Sequence, residues 1–128
     1  MKNNDIELKT GIDIVYIPRI TKILNSKEKD LFLKRCFAND EIEEFFRRKR
    51  RGAEFLAGRF ALKESLLKIL DDRRGVRLSE ISCLSRGGRP VLKFRGKTMS
   101  AFKNYNLAIS ISHDNEYAIA VVFARRKR

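Results

Sequence analysis

Residues 54–70 read Glu54-Phe55-Leu56-Ala57-Gly58-Arg59-Phe60-Ala61-Leu62-Lys63-Glu64-Ser65-Leu66-Leu67-Lys68-Ile69-Leu70. This run predicts the clearest helix of the chain, built almost wholly from helix formers and free of proline. Apolar residues occupy more than one of its sides, so the helix is expected to be central and largely buried rather than laid on a surface by a single stripe. Successive residues advance by about 100°, which puts Ala57, Ala61, Glu64 and Lys68 on one face with Phe60 beside them. Asp71 to Gly75 follows as a polar turn.

Upstream, Ile6, Leu8 and the run Gly11-Ile12-Asp13-Ile14-Val15 predict one or two strands with a break at the glycine. Pro18 permits a helix from about Arg19, with Ile20, Ile23 and Leu24 inward and Arg19 and Lys22 on the wet side. Ser26 is placed to cap a short helix holding Leu31, Phe32 and Leu33. Asp40 and Glu43 fit a capping box for a helix through Ile42, Phe45 and Phe46, which runs into Arg47–Arg51 and ends at Gly52. Downstream the period shortens. Ile81–Arg86 and Val91–Phe94 flank Gly87-Gly88-Arg89-Pro90 as a hairpin, and a short helix carries Met99, Ala101 and Phe102. Leu107, Ile109 and Ile111 then alternate with Ala108, Ser110 and Ser112. His113-Asp114-Asn115-Glu116 reads as a turn, Tyr117–Ala124 as a last strand and Arg125–Arg128 as a basic tail. The fold class that results is α+β: an antiparallel sheet packed around a long central helix, in one domain over residues 1–128.

Composition narrows the function classes. No apolar run is long enough to span a bilayer, and Met1–Lys9 is too polar for a secretory signal, so a cytoplasmic protein with no membrane partner is expected. Cys36, Cys83 and His113 match no standard zinc spacing, and the two cysteines read as small core residues. With 29 Lys plus Arg against 16 Asp plus Glu, the net charge is +13. Such a surface attracts polyanions, whether nucleic acid, anionic lipid, acidic protein or a phosphate-rich small molecule.

The residues able to do chemistry leave alternatives open when taken singly. Glu64 and Lys68 are four apart and may be read as a simple helical pair; alternatively the small residues Ala57 and Ala61 leave a shallow groove beside the carboxylate for a metal and a ligand. Arg59 and Lys63 form either a solvated stripe or, for Arg59, a planar fork toward a phosphate. Asp13 either faces solvent from its strand or joins Glu64 in an oxygen-only site of the kind magnesium prefers. His113, at a strand end, is either a hydrogen-bonded structural group or a functional turn residue.

Together these segments resemble the holo-acyl-carrier-protein synthases, the short bacterial type of 4'-phosphopantetheinyl transferase. The similarity rests on Gly11-Ile12-Asp13 with Arg19 after it, on Phe55 to Glu64 with Lys68 following, on Ser110-Ile111-Ser112-His113 with Tyr117-Ala118-Ile119-Ala120, and on Gly88-Arg89-Pro90. It covers nearly the whole chain. It implies that Asp13 and Glu64 hold magnesium against the diphosphate of coenzyme A, and that Lys68 acts on that diphosphate or near the transferred phosphate. Arg59 and His113 would lie toward the 3'-phosphate and adenosine end, with Gly88, Arg89 and Pro90 lining the nucleotide pocket. Arg19, with Lys22 on the same helix, would meet an acidic acyl carrier protein, and the enzyme would be a homotrimer with sites at subunit boundaries. Pro18, Leu62, Ser65 and the length before Gly11 depart mildly from the family pattern.

The implied reaction puts a carrier serine oxygen on the β-phosphate of coenzyme A and releases 3',5'-ADP, as a step toward fatty acid biosynthesis. Positioning and charge neutralisation do most of the work in such chemistry. The rival reading is a basic nucleic-acid-binding module. The chain shows no helix-turn-helix, zinc or RNP-type pattern to support it, and its aromatics are not interleaved with the basic runs. On the transferase reading, Glu64→Gln removes magnesium-dependent turnover and leaves the fold intact; circular dichroism beside a turnover assay checks this, and full activity at saturating substrate takes Glu64 out of the site.

Overall fold

A computed structural model describes residues 7–128. Its elements run β1 (Leu8–Tyr16), α1 (Ile17–Leu24), α2 (Lys29–Cys36), α3 (Asn39–Arg47), α4 (Gly52–Leu67), a 3-10 turn (Leu78–Glu80), β2 (Ile81–Arg86), β3 (Arg89–Phe94), α5 (Gly96–Phe102), β4 (Tyr105–Asp114) and β5 (Tyr117–Arg126). Strands β1, β5 and β4 form an antiparallel sheet in that spatial order, and β2 and β3 form a separate hairpin. The expected α+β architecture around a central helix is what the chain adopts.

Helix α4 is that centre. Phe55, Leu56, Ala57, Gly58, Ala61, Leu62, Ser65 and Leu66 are all buried along it. It packs on β1 and β5, whose inward residues are small: Gly11 and Val15 on β1, and Ala118, Ala120, Val122 and Ala124 on β5. Small residues on both surfaces let helix and sheet approach closely. Ser65 Oγ, which donates to Ala61 O at 2.8 Å, also reaches Ala120 O at 3.2 Å. The closest approach is at Gly11, where a Cβ would overlap the Ser65 carbonyl oxygen and lie 3.3 Å from Lys68 Cβ.

Several boundaries differ from the sequence expectation, each for a local reason. Strand β1 is continuous through Gly11; the glycine answers a need for contact with α4 rather than for a bend. Ile6 lies outside the described residues. Helix α4 begins at Gly52, after Arg51 in the left-handed region (φ 60°), so Gly52 starts a helix instead of ending one. A side chain there would meet the Phe45 ring at 2.8 Å. The helix stops at Leu67 rather than Leu70, which makes Lys68 its C-cap residue. Helix α3 is capped two residues earlier than Asp40 and Glu43 suggest: Glu41 reaches back to accept from the Ala38 N–H at 2.9 Å. Ser26 accepts from the Glu28 N–H at 3.2 Å in the loop before α2. Gly87 and Gly88 alone form the hairpin turn, both at positive φ as a two-residue connection requires, and Arg89 and Pro90 belong to β3. Arg125 and Arg126 extend β5 into the basic tail.

Alternation on the sheet leaves a second surface. Leu8, Ile12, Ile14 and Tyr16 of β1, with Tyr117, Ile119 and Phe123 of β5, point away from α4 and are exposed. The register pairs Ile14 with Ile119 and Tyr16 with Tyr117, so these side chains form one apolar patch. No helix among the described residues is long and apolar enough to cross a membrane.

Gly11→Ala should cost about 2–3 kcal/mol, because the added methyl meets backbone that cannot rotate aside. Denaturant unfolding measures the loss; wild-type stability would mean that β1 can lift off α4 without penalty.

Candidate active site

At the C-terminal end of α4 the structure joins two of the predicted residues directly. Lys68 Nζ donates to Ile12 O at 2.7 Å and to Asp13 Oδ1 at 3.3 Å. Asp13 is on the α4 side of β1, with its side chain 22% exposed, and not on the solvent side. The packing of Gly11 puts it there: with the β1 backbone lying on Ser65 and Lys68, the next inward residue along the strand falls beside the lysine stem. Glu64, one turn before Lys68, is half-buried, and its carboxylate makes no hydrogen bond or ion pair among the described residues. The helical Glu64–Lys68 pair considered from the sequence therefore does not form; Lys68 is spent on β1. Nor do the alanines leave a groove, since Ala57 and Ala61 are fully buried against the sheet.

A second cluster surrounds the N-terminal half of α4. Arg59 is buried, not part of a solvated stripe. Its Nε donates to Cys83 O and its Nη2 to Ser85 Oγ, both at 3.0 Å. The Phe55 ring is contacted by the guanidinium groups of Arg59 (4.3 Å from the centroid) and Arg48 (4.4 Å). Burial lowers the Arg59 pKa from its ordinary value, yet a guanidinium stays charged at neutral pH. His113 Nε2 lies 3.2 Å from the Glu54 carbonyl oxygen, a bond that needs the proton on Nε2, while Nδ1 is 3.7 Å from Glu54 Oε1. Gly58 makes room for this, because a Cβ there would sit 2.9 Å from His113 Nε2. The Gly88–Pro90 segment follows from β2, the strand whose Cys83 and Ser85 hold Arg59.

The two clusters do not converge within one chain. Gly58 and Lys68 are ten residues apart, about 15 Å along the helix axis. Arg59 and Glu64 are five apart, about 140° around it, and Arg59 turns to β2 while Lys68 turns to β1. Arg19 and Lys22 are exposed on α1, which packs beside α4. One chain thus presents an acid–lysine cluster at one end of α4 and a basic, hairpin-flanked cluster at the other.

Lys63 was the residue read least well. It is fully buried, not on a wet stripe, and its Nζ donates to Glu41 Oε1 at 2.5 Å, Ile81 O at 2.7 Å, Cys36 O at 2.8 Å and Leu78 O at 3.1 Å. Desolvation pushes the Glu41 carboxyl up and the Lys63 ammonium down, and their mutual attraction opposes both shifts. The sequence signal for such a partner was a lysine in a helix with no polar side left to host it. Glu41, one residue before the apolar Ile42 of α3, carried no comparable signal. Of the two cysteines, Cys83 is fully buried and its thiol is pushed up to about 11 by that burial; Cys36 is half-buried. Both are free, as small core residues would be.

The helix thus carries a half-buried acid and a lysine against a strand aspartate, with a basic cluster around its N-terminal half. The chain belongs to the 4'-phosphopantetheinyl transferase superfamily, whose family model matches residues 9–122. It is 40% identical to the holo-[acyl-carrier-protein] synthase of Clostridium botulinum strain Eklund 17B over 86% of this chain and 90% of that one, and 38% identical to that of Leptospira biflexa over 90% and 94%. Among solved structures it is similar to the holo-(acyl-carrier-protein) synthase of Bacillus anthracis in complex with coenzyme A (3',5'-ADP), with a TM-score of 0.78, 29% identity and coverage of 96% and 100% of the two chains.

Lys68→Met should cost less than about 1 kcal/mol of stability, since the pair it makes with Asp13 is partly exposed, yet should lower turnover by about 100-fold if the ammonium meets phosphate charge. Thermal unfolding and steady-state assay separate the two effects; a variant that loses both in proportion would make Lys68 a structural strap only.

Proposed function

We propose that this chain is a magnesium-dependent holo-[acyl-carrier-protein] synthase, which moves the 4'-phosphopantetheine group of coenzyme A to a serine of apo acyl carrier protein and releases 3',5'-ADP. The observation that carries this reading is the Lys68–Asp13 contact beside an unpartnered Glu64. The family and the named relatives supply the substrates.

The donor set suits magnesium. Asp13 and Glu64 offer only hard oxygen ligands, and no group of three or more His, Cys, Asp or Glu among the described residues forms an all-protein metal cage. Two carboxylates match an ion that completes its shell with water and substrate phosphates. When bound, the ion would supply charge neutralisation at the diphosphate. The chain's own groups would do the rest. Lys68, held at the end of α4 by Ile12 O and Asp13, would stabilise charge on the diphosphate as the bond to 3',5'-ADP breaks. Glu64, or a water it holds, is the candidate base for the serine proton. Arg59, His113 and the Gly88–Pro90 segment would bind the 3'-phosphate and adenosine end.

Since Arg59 turns to β2 and Lys68 to β1, we infer a site that needs two chains, one giving Asp13, Glu64 and Lys68 and its neighbour giving Arg59, His113 and the hairpin. The homotrimer implied by the family meets that need. The apolar outer face of β1 and β5, with Ile14 and Phe123 each 59% exposed, supports such an association. The exposed Arg19 and Lys22 on α1 would orient the acidic carrier, in the cytoplasm, where fatty acid biosynthesis uses the product.

Purified protein, coenzyme A, magnesium and an apo carrier protein should yield a carrier heavier by one phosphopantetheine arm in a mass spectrum, and chelation of magnesium should stop the gain. No gain with several carriers, together with tight salt-sensitive binding to DNA or RNA, would return the +13 charge to the nucleic-acid reading.

A further inference from the structure

Glu41 links the two clusters of one chain, each of which on the two-chain reading completes a different site, and it belongs to neither. It is fully buried in α3. Its Oε1 accepts from the Ala38 N–H at 2.9 Å and from Lys63 Nζ, and its Oε2 accepts from the Cys83 N–H at 2.9 Å. Lys63 is the residue directly before Glu64 on α4, and its four acceptors exceed the three protons of an ammonium, so the helix is tied here from several directions at once. Cys83 is the middle of β2, and its peptide is held on both sides: the N–H by Glu41 and the carbonyl by Arg59. Two residues on, Ser85 accepts from the same guanidinium, and the Gly87–Gly88 turn follows.

A buried ion pair contributes little net stability in general, because desolvation offsets attraction. Fixing geometry is a better account of what this one does. A carboxylate with one oxygen on the lysine of α4 and the other on the backbone of β2 sets the distance between those elements to the length of one side chain. We propose that Glu41 is a positioning residue for the transfer reaction, which through Lys63 fixes Glu64 on α4 and through the Cys83 N–H fixes the strand that leads to Gly88–Pro90. This rests on the transferase reading of those two groups.

Glu41→Asp tests it. The shorter arm keeps a negative charge for Lys63 but cannot span from the Ala38 and Lys63 donors to the Cys83 N–H. The variant should fold, with a melting temperature within a few degrees of wild type. Its KM for coenzyme A should rise about tenfold, as expected for ligands displaced by a fraction of an ångström to an ångström, while its KM for the carrier, which meets α1, stays within twofold. Glu41→Gln keeps the length but has one acceptor oxygen for donors that lie on both sides of the carboxylate, so it should show the same split in kinetics with a larger fall in melting temperature. All assays are run well below each variant's own melting point. Wild-type KM and kcat in a folded variant, an equal rise in both KM values, or failure of both variants to fold would each overturn the proposal, the last by making Glu41 a folding residue. The site reading fails separately: normal turnover by Glu64→Gln removes Glu64 from the chemistry whatever Glu41→Asp does, whereas an inactive Glu64→Gln beside a wild-type Glu41→Asp sinks only the role given to Glu41.

Discussion

The approach of the β1 backbone to α4 at Gly11 is the constraint on which the rest of the structure depends. Without a Cβ there, the strand rests on the Ser65 carbonyl. The alanines of β5 and of α4 continue the same short spacing across the sheet. From that spacing the inward position of Asp13 follows, and from Asp13 the placement of the Lys68 ammonium. A larger residue at any of these points would raise the helix off the sheet and separate the groups at its end before any of them was itself altered.

The chain needs both polar and apolar burial to achieve this. The core around α4 is mostly aliphatic and aromatic, yet Arg59, Lys63 and Glu41 are inside it. No buried side-chain nitrogen or oxygen among the described residues lacks a hydrogen-bond partner. The polar groups add to the apolar packing that joins α4 to the hairpin strand β2 and to α3. The sheet is held to the helix by close packing with hydrogen bonds from Ser65 and Lys68 added to it, and the hairpin by apolar packing with the buried bonds of Arg59 and the Glu41–Lys63 pair added to it.

Much of this was legible in the sequence because period and composition report burial. The all-round apolarity of residues 54–70 gave a central helix, and the alternation at Leu107, Ile109 and Ile111 gave β4. The Gly87–Gly88 pair gave the hairpin. Motif resemblance named the candidate site residues as a set, but the contacts that hold them were not legible. Spacing of four put Lys68 with Glu64, and only the three-dimensional course of β1 shows that Ile12 O and Asp13 compete for the same ammonium and win. Likewise the spacing of four from Arg59 offered a solvated stripe for Lys63, because a one-dimensional pattern cannot see a carboxylate 22 residues away. Helix ends were misread where a left-handed Arg51 let Gly52 open a helix, a choice made by Phe45 packing rather than by glycine itself.

Strand β1 has two faces with unrelated duties. Lys9, Gly11, Asp13 and Val15 turn toward α4, while Leu8, Ile12, Ile14 and Tyr16 turn outward to an uncovered apolar patch. Since the faces alternate residue by residue, a slip of one position against β5 would carry Asp13 into the greasy surface and Ile12 into the place of the acid. The chemistry and the stickiness of this protein are therefore read from one nine-residue strand in a single frame, and neither can be shifted along the chain without exchanging it for the other.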